Sequence, residues 1–298
     1  ISIDPWNVTV NAWLQTMDDG DVRIEADNTA TFGAGGDITA DGSGNISVVA
    51  DHDSNNAGAL FMANGTLFNA EAGTILLSAA DRVTLGGLTT TNATEDAVRV
   101  TSTVADIVDG GDSHTDIIAN SDGAVTTLRA VTGIGSIDPG PPVNAALETR
   151  IHALDALNQT SGDIRITEEG TGGDLLIHQA RQVDSDGLIS IQTTDGDLTV
   201  SLEELGVESQ AGSITLFANG GDNSLYVYEE VASDGGAIML RADDDIEFNP
   251  AGDVSSHDGN IEITADFDND PVETGGHVDM ADGTVVNAGS GTITVFAD

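Results

Sequence analysis

Apolar and polar residues alternate along this chain in short bursts, each opening near a glycine or an acidic residue. The bursts are anchored by Val22 and Ile24, Ile46 and Val48, Ile75 and Leu77, Ile164 and Ile166, Ile189 and Ile191, Ile214 and Leu216, Ile238 and Leu240, Ile261 and Ile263, and Ile293 and Val295. A period of two carried by β-branched residues predicts strands. Ile24, Val48, Leu77, Ile166 and Ile191 are therefore expected to face a core, and Arg23, Ser47, Arg165, Ser190, Thr215 and Glu262 to face solvent. The bursts recur roughly every 24 residues, a unit too short to bury its own apolar side chains, so each must stack on its neighbours. The expected fold is all-β: a right-handed parallel β-helix of about twelve coils, residues 1–298 forming a single segment, with the handedness that parallel connections adopt by default. A β-sandwich calls for buried aromatics and a unit near ~100 residues, and a propeller for aromatic-marked blades of ~40 to 45 residues. The period fits neither.

A longer repeat overlies the short one. Gly20-Asp-Val-Arg-Ile-Glu-Ala-Asp27 returns as Gly236-Ala-Ile-Met-Leu-Arg-Ala-Asp243, and Gly44-Asn-Ile-Ser-Val-Val-Ala-Asp51 as Gly259-Asn-Ile-Glu-Ile-Thr-Ala-Asp266. Met62-Ala-Asn-Gly-Thr66 and Gly73-Thr-Ile-Leu-Leu77 likewise return as Met280-Ala-Asp-Gly-Thr284 and Gly291-Thr-Ile-Thr-Val295. Residues 20–79 and 236–297 are thus related at an offset of about 216, nine short units, which a stack accommodates without interruption.

The period blurs after Val131. Three of the chain's prolines, Pro139, Pro141 and Pro142, mark a loop or corner. Beyond them Leu147, Ile151 and Leu154 with Val143 are spaced for a helical face, whereas Leu147, Thr149 and Ile151 are spaced for a strand; the surrounding period favours another coil. Thr132-Gly-Ile-Gly135, Leu147-Glu-Thr-Arg-Ile151, Leu154-Asp-Ala-Leu157 and Thr160-Ser-Gly-Asp-Ile-Arg-Ile166 resemble a unit of the giant bacterial surface proteins of the filamentous haemagglutinin-like type. The resemblance implies a right-handed parallel β-helix serving as adhesin shaft or surface filament, extracellular or at the cell surface, without catalytic residues. The chain begins without Met and ends within a strand-like run, which reads as a piece of a longer protein.

Composition adds the electrostatics. Fifty-one acids face eight basic residues, all arginine, for a formal charge of −43, and cysteine is lacking altogether. Nucleic acid and anionic membrane surfaces are poor partners for such a chain, since both demand clustered Lys or Arg; membrane insertion is not expected. Cations are the natural partners, and self-repulsion should be relieved by salt. Other partners considered are further copies, through end-to-end or lateral filament contacts, and a surface or glycan.

The sharpest polar motif is Asp51-His-Asp53-Ser-Asn55 with its repeat, Asp266-Phe-Asp268-Asn-Asp270. Oxygen side chains at alternate positions of a loop suit a hard cation, so Asp51, Asp53, Asn55, Asp266, Asp268 and Asp270 are candidate Ca²⁺ ligands; Ca²⁺ is the one cofactor the residues suggest, and none is assured by them. The motif lacks the sixth-position Gly and distal Glu of an EF-hand loop. No nucleophile elbow, phosphate loop or His-x-His spacing occurs, and the arginines are dispersed. The expectation is a structural or adhesive shaft rather than an enzyme. The alternative is a glycan-binding or glycan-cleaving β-helix, with Trp6 and Trp13 available for sugar stacking.

Overall fold

The computed structural model describes residues 2–3, 5–111, 114–135, 146–184, 186–201, 205–267 and 276–297. The fold is an all-β parallel solenoid of about ten turns, with no helix among the described residues. The turns are unequal: Val22, Ile46, Ile75 and Val98 begin successive strands of one sheet, and the loops between them differ in length.

The chain divides into two compact units, Ile1–Ala153 and Leu154–Asp298. In the first, each turn contributes strands to three parallel sheets. One sheet runs through Ser2–Ile3, Val22–Ala26, Ile46–Ala50, Ile75–Ala79, Val98–Ser102 and Val125–Ala130; the second through Val8–Val10, Ala30–Phe32, Leu60–Met62, Val83–Leu85 and Ile107–Asp109; the third through Leu14–Gln15, Ile38–Thr39, Leu67–Asn69, Gly87–Thr89, Ile117–Ala119 and Leu147–Ile151. In the second unit the long strands Ile164–Glu168, Ile189–Thr193, Ile214–Ala218, Ile238–Ala242, Ile261–Thr264 and Ile293–Phe296 stack in one ladder.

Register follows the period-two pattern. Ile166, Ile191, Leu216, Leu240 and Ile263 stand in one column, each at most 1% exposed, while Arg165, Ser190, Thr215 and Glu262 form the outward column beside them. Ile24, Val48 and Leu77 form an equivalent inward column, all fully buried. The region after the prolines is strand, not helix: Leu147–Ile151 and Ala153–Asn158. Thr149 and Ile151 point inward with Leu147, which resolves the ambiguous spacing in favour of another coil. Pro139, Pro141 and Pro142 lie outside the described residues.

Two columns that hydrophobic patterning does not reveal close the inner corner of the second unit. Gly187, Gly212, Gly236 and Gly259 follow Gly162 turn by turn, each so close to the preceding backbone that a Cβ would collide with it. Beside them Ser209, Ser233 and Ser256 are buried. The Ser233 hydroxyl accepts from Gly236 N at 2.9 Å and donates to Gly212 O at 2.9 Å; Ser256 repeats this with Gly259 N and Gly236 O. Buried backbone groups need such partners, so the recurring Ser-x-x-Gly is a clasp between turns.

Candidate functional site

Acidic side chains at the starts of strands carry most of the polar chemistry, and many of them are directed at the neighbouring turn. Asp21 Oδ1 accepts from Asn45 N at 2.8 Å, and Asn45 Oδ1 in turn from Thr74 N at 2.9 Å. Asp174 accepts from Asp197 N at 3.0 Å and Asp197 from Ser224 N at 2.8 Å. Asp37, Asp163, Asp245, Asp253 and Asn260 do the same for Leu67, Leu188, His277, Val285 and Thr292. Asp and Asn interchange in this role because the position needs an acceptor, not a charge. A charged acceptor makes the stronger hydrogen bond, but stacking carboxylates turn upon turn accumulates repulsion.

That conflict is visible in the titration of individual groups. Burial, the largest influence, pushes the Asp197 carboxyl above its ordinary value; the Ser224 N–H opposes this, and the Asp174 charge adds to it. Asp244 is likewise raised by burial first and then by Asp245 and Asp222. Such groups favour folding below the ordinary carboxylate range, and the contribution is lost as pH rises through their raised values. Asp19 and Asp258 behave oppositely. Hydrogen bonds from Ser43 and Ser290 hold them low, so their contribution is present above the ordinary range and lost on acidification.

Six of the eight arginines pair with nearby acids. Arg23 pairs with Glu25, Arg82 with Asp106 at 2.8 Å, Arg99 with Asp96 at 2.9 Å, Arg165 with Asp163 at 2.8 Å, Arg181 with Glu208 at 2.5 Å and Arg241 with Glu262 at 2.9 Å. Partly exposed pairs of this kind contribute little stability, but they commit these cations to acids on the same or the adjacent turn.

The two candidate calcium loops share a backbone. Asp51 and Asp266 both adopt left-handed φ, 67° and 53°. Asp51 N donates to Asn28 O and Asp266 N to Asp244 O, each at 3.2 Å, and the following residues, His52 and Phe267, donate to Ala26 O and Ala242 O. Duplication of sequence has therefore preserved local geometry. In the first loop the Asp51 carboxylate accepts from the N–H groups of Asn55, Asn56 and Ala57, and Asn55 Nδ2 donates to Asp53 at 2.9 Å. The three side chains are brought together, but chiefly to close the turn. Asp268 and Asp270 lie outside the described residues.

A tighter acidic group lies elsewhere. Asp109, Asp116 and Glu148 bring carboxylate oxygens within 4.8 Å of one another. Ile117 pairs with Thr149, which places Asp116 and Glu148 side by side on adjacent turns; Asp116 is fully buried and Glu148 is 2% exposed. Glu148 N donates to Asp116 Oδ2 at 3.0 Å. Hard oxygen donors so arranged suit Ca²⁺ or Mg²⁺ by chemistry. Thirty-odd residues separate Asp116 from Glu148 in sequence, and in a chain this acidic no local spacing marks them out; only the register does.

No family model, no curated protein and no solved structure matches the chain. No helix among the described residues is long and apolar enough to cross a membrane. Of the aromatic residues, Trp6 and Trp13 are exposed, and Tyr226 and Tyr228 stack with ring centroids 6.3 Å apart and planes 8° from parallel.

Proposed function

We propose that this chain is a structural or adhesive segment of an extracellular bacterial surface protein, a stiff acidic solenoid whose stability depends on cation screening. In this reading the chain forms one continuous right-handed β-helix, and the filamentous haemagglutinin-like resemblance supplies the surface location. The observation that carries it is the use of the polar side chains: acids accept from backbone N–H groups one turn away, and six arginines pair with nearby acids. Chemistry distributed over every turn suits a spacer better than a single reactive site. Asp51, Asp53 and Asn55, with Asp266, Asp268 and Asp270, are proposed as Ca²⁺ positions in addition to diffuse counterions.

A glycan-binding role is the second reading, favoured by the stacked Tyr226 and Tyr228. Glycan cleavage has less support, because Asp116 and Glu148 of the clustered carboxylates are buried away from a polymer.

Urea midpoints test the first reading. They are expected to rise from low to high NaCl, and further when Ca²⁺ replaces Na⁺ at matched ionic strength. Midpoints indifferent to both would remove the cation-screened solenoid from consideration.

A further inference from the structure

We infer that the outward side of the turns carrying Asp197, Tyr226, Tyr228 and Glu247 docks arginine side chains of a basic partner polypeptide. The inference rests on the adhesive part of the reading above and names a partner for it. Leu198–Val200, Leu225–Val227 and Ile246–Phe248 pair in parallel, which sets Tyr226 between Thr199 and Glu247 on successive turns. These turns are interior: Leu175–Gln182 pairs with the first of them and Val278–Met280 with the last. Tyr226 and Tyr228, two residues apart, project to the same side of the sheet. Both are half-buried, and their rings lie 8° from parallel with centroids 6.3 Å apart.

Carboxylates frame the rings. Glu247 is exposed and in register beside Tyr226. On the preceding turn Asp197 accepts from Ser224 N at 2.8 Å, which holds its carboxylate against the turn that carries both tyrosines. The two charges are felt at the ring: the Tyr226 hydroxyl is held above its ordinary range, first by burial and then by Asp197 and Glu247, with the Ser224 hydroxyl opposing them. Aromatic faces attract cations, and the acids add an attraction that a neutral sugar would not feel. No arginine occurs in residues 197–200, 224–228 or 245–248, and the chain has no lysine. The cation therefore has to come from a partner.

A contact within the molecule shows what occupant suits such a place. Arg241 lies over the Phe267 ring, 4.5 Å from its centroid, and donates to Glu262 of the next turn at 2.9 Å. Tyr226 and Glu247 repeat the ring and the next-turn carboxylate, and leave the guanidinium to be supplied. A guanidinium is planar and weakly hydrated, so it stacks on a ring while its N–H groups reach a carboxylate; a lysine ammonium does this less well. The net charge of −43 draws a basic chain to the surface as a whole, and the tyrosines decide where it stays.

Fluorescence anisotropy of a labelled hexa-arginine peptide, titrated with the full chain at salt high enough to screen the diffuse field, tests this. Wild type is expected to bind it at least about fivefold more tightly than hexalysine of equal charge. The double variant Tyr226→Leu/Tyr228→Leu, which leaves the net charge untouched, is expected to weaken hexa-arginine binding by about tenfold. Tyr226→Phe/Tyr228→Phe keeps both rings and should weaken it by about twofold or less. Circular dichroism shows whether each variant is folded, and should the leucine pair not fold, the hexalysine comparison and the phenylalanine pair still decide. Equal affinity for the two peptides, a folded leucine pair that binds as wild type does, or a phenylalanine pair that loses binding would each overturn the inference. Cellohexaose binding that the leucine pair loses, with hexa-arginine binding intact, would overturn it too and give the tyrosines to a glycan. None of these outcomes alters the response of the unliganded chain's urea midpoint to salt, so the spacer reading fails or stands separately.

Discussion

Gly212→Ala is expected to destabilise the Leu154–Asp298 unit by about 3 kcal/mol or more, read as a large fall in the urea midpoint. The cause is clearance. A Cβ at Gly212 would lie 2.7 Å from the Gly187 carbonyl carbon and closer still to its oxygen, and the nearest atoms are all backbone of Asp186 and Gly187, so no flexible side chain can yield. Displacing one turn also loosens its contacts with the next, because neighbours share the stabilising interface in a stacked fold. Gly221→Ala is the control: its φ of 62° strains a non-glycine residue, but its Cβ would meet nothing within 4 Å. That substitution should cost about 1 kcal/mol, from conformation alone. Equal losses at the two positions would show that close stacking is not what demands glycine in the column.

The second large effect belongs to the aromatic part of the core. Phe32 and Phe68, both fully buried, meet edge to face with ring centroids 4.8 Å apart. Phe68 also stands in register between Ile38 and Leu88. Removing it leaves a cavity that three turns border, so Phe68→Ala is expected to cost about 3 to 5 kcal/mol. Phe68→Leu, which keeps most of the volume, should cost less than about 1.5 kcal/mol. Thermal unfolding of both variants gives the comparison, and a leucine variant as damaged as the alanine one would contradict a packed interior at this turn.

Much of the fold is legible in the alternation of residues such as Ile164, Arg165 and Ile166, because inward and outward positions obey a strict period of two. Strand was also readable at Leu147, Thr149 and Ile151, though a helical spacing competed there until burial separated them. The reason for the glycines was not readable. They mark turns in the sequence, whereas Gly187 and Gly212 are required by the backbone of the adjacent turn. The Ser-x-x-Gly clasp was available as a recurring signal at Ser209, Ser233 and Ser256, but its meaning depends on which carbonyl lies one turn away. The acids posed the same difficulty. In sequence Asp174 and Asp197 are turn residues with charge; in three dimensions each is an acceptor for the next turn. Asp116 and Glu148 meet for the same reason, through a register that unequal loops conceal.

The central claim is that strand-start acids serve as acceptors between turns, while their charge is a burden that cations relieve. Asn and Ala substitutions at Asp174 and Asp197 separate the two roles, since Asn keeps the acceptor and Ala keeps neither. Unfolding free energies from urea titration at pH 7 are expected to be unchanged or raised for both Asn variants and lowered by about 1 kcal/mol for both Ala variants. At Asp197 the advantage of Asn should grow as pH rises through the carboxylate range, because the wild-type carboxyl, raised by burial, then loses its stabilising contribution. Asn variants as destabilised as Ala variants, with no dependence on pH, would contradict the claim.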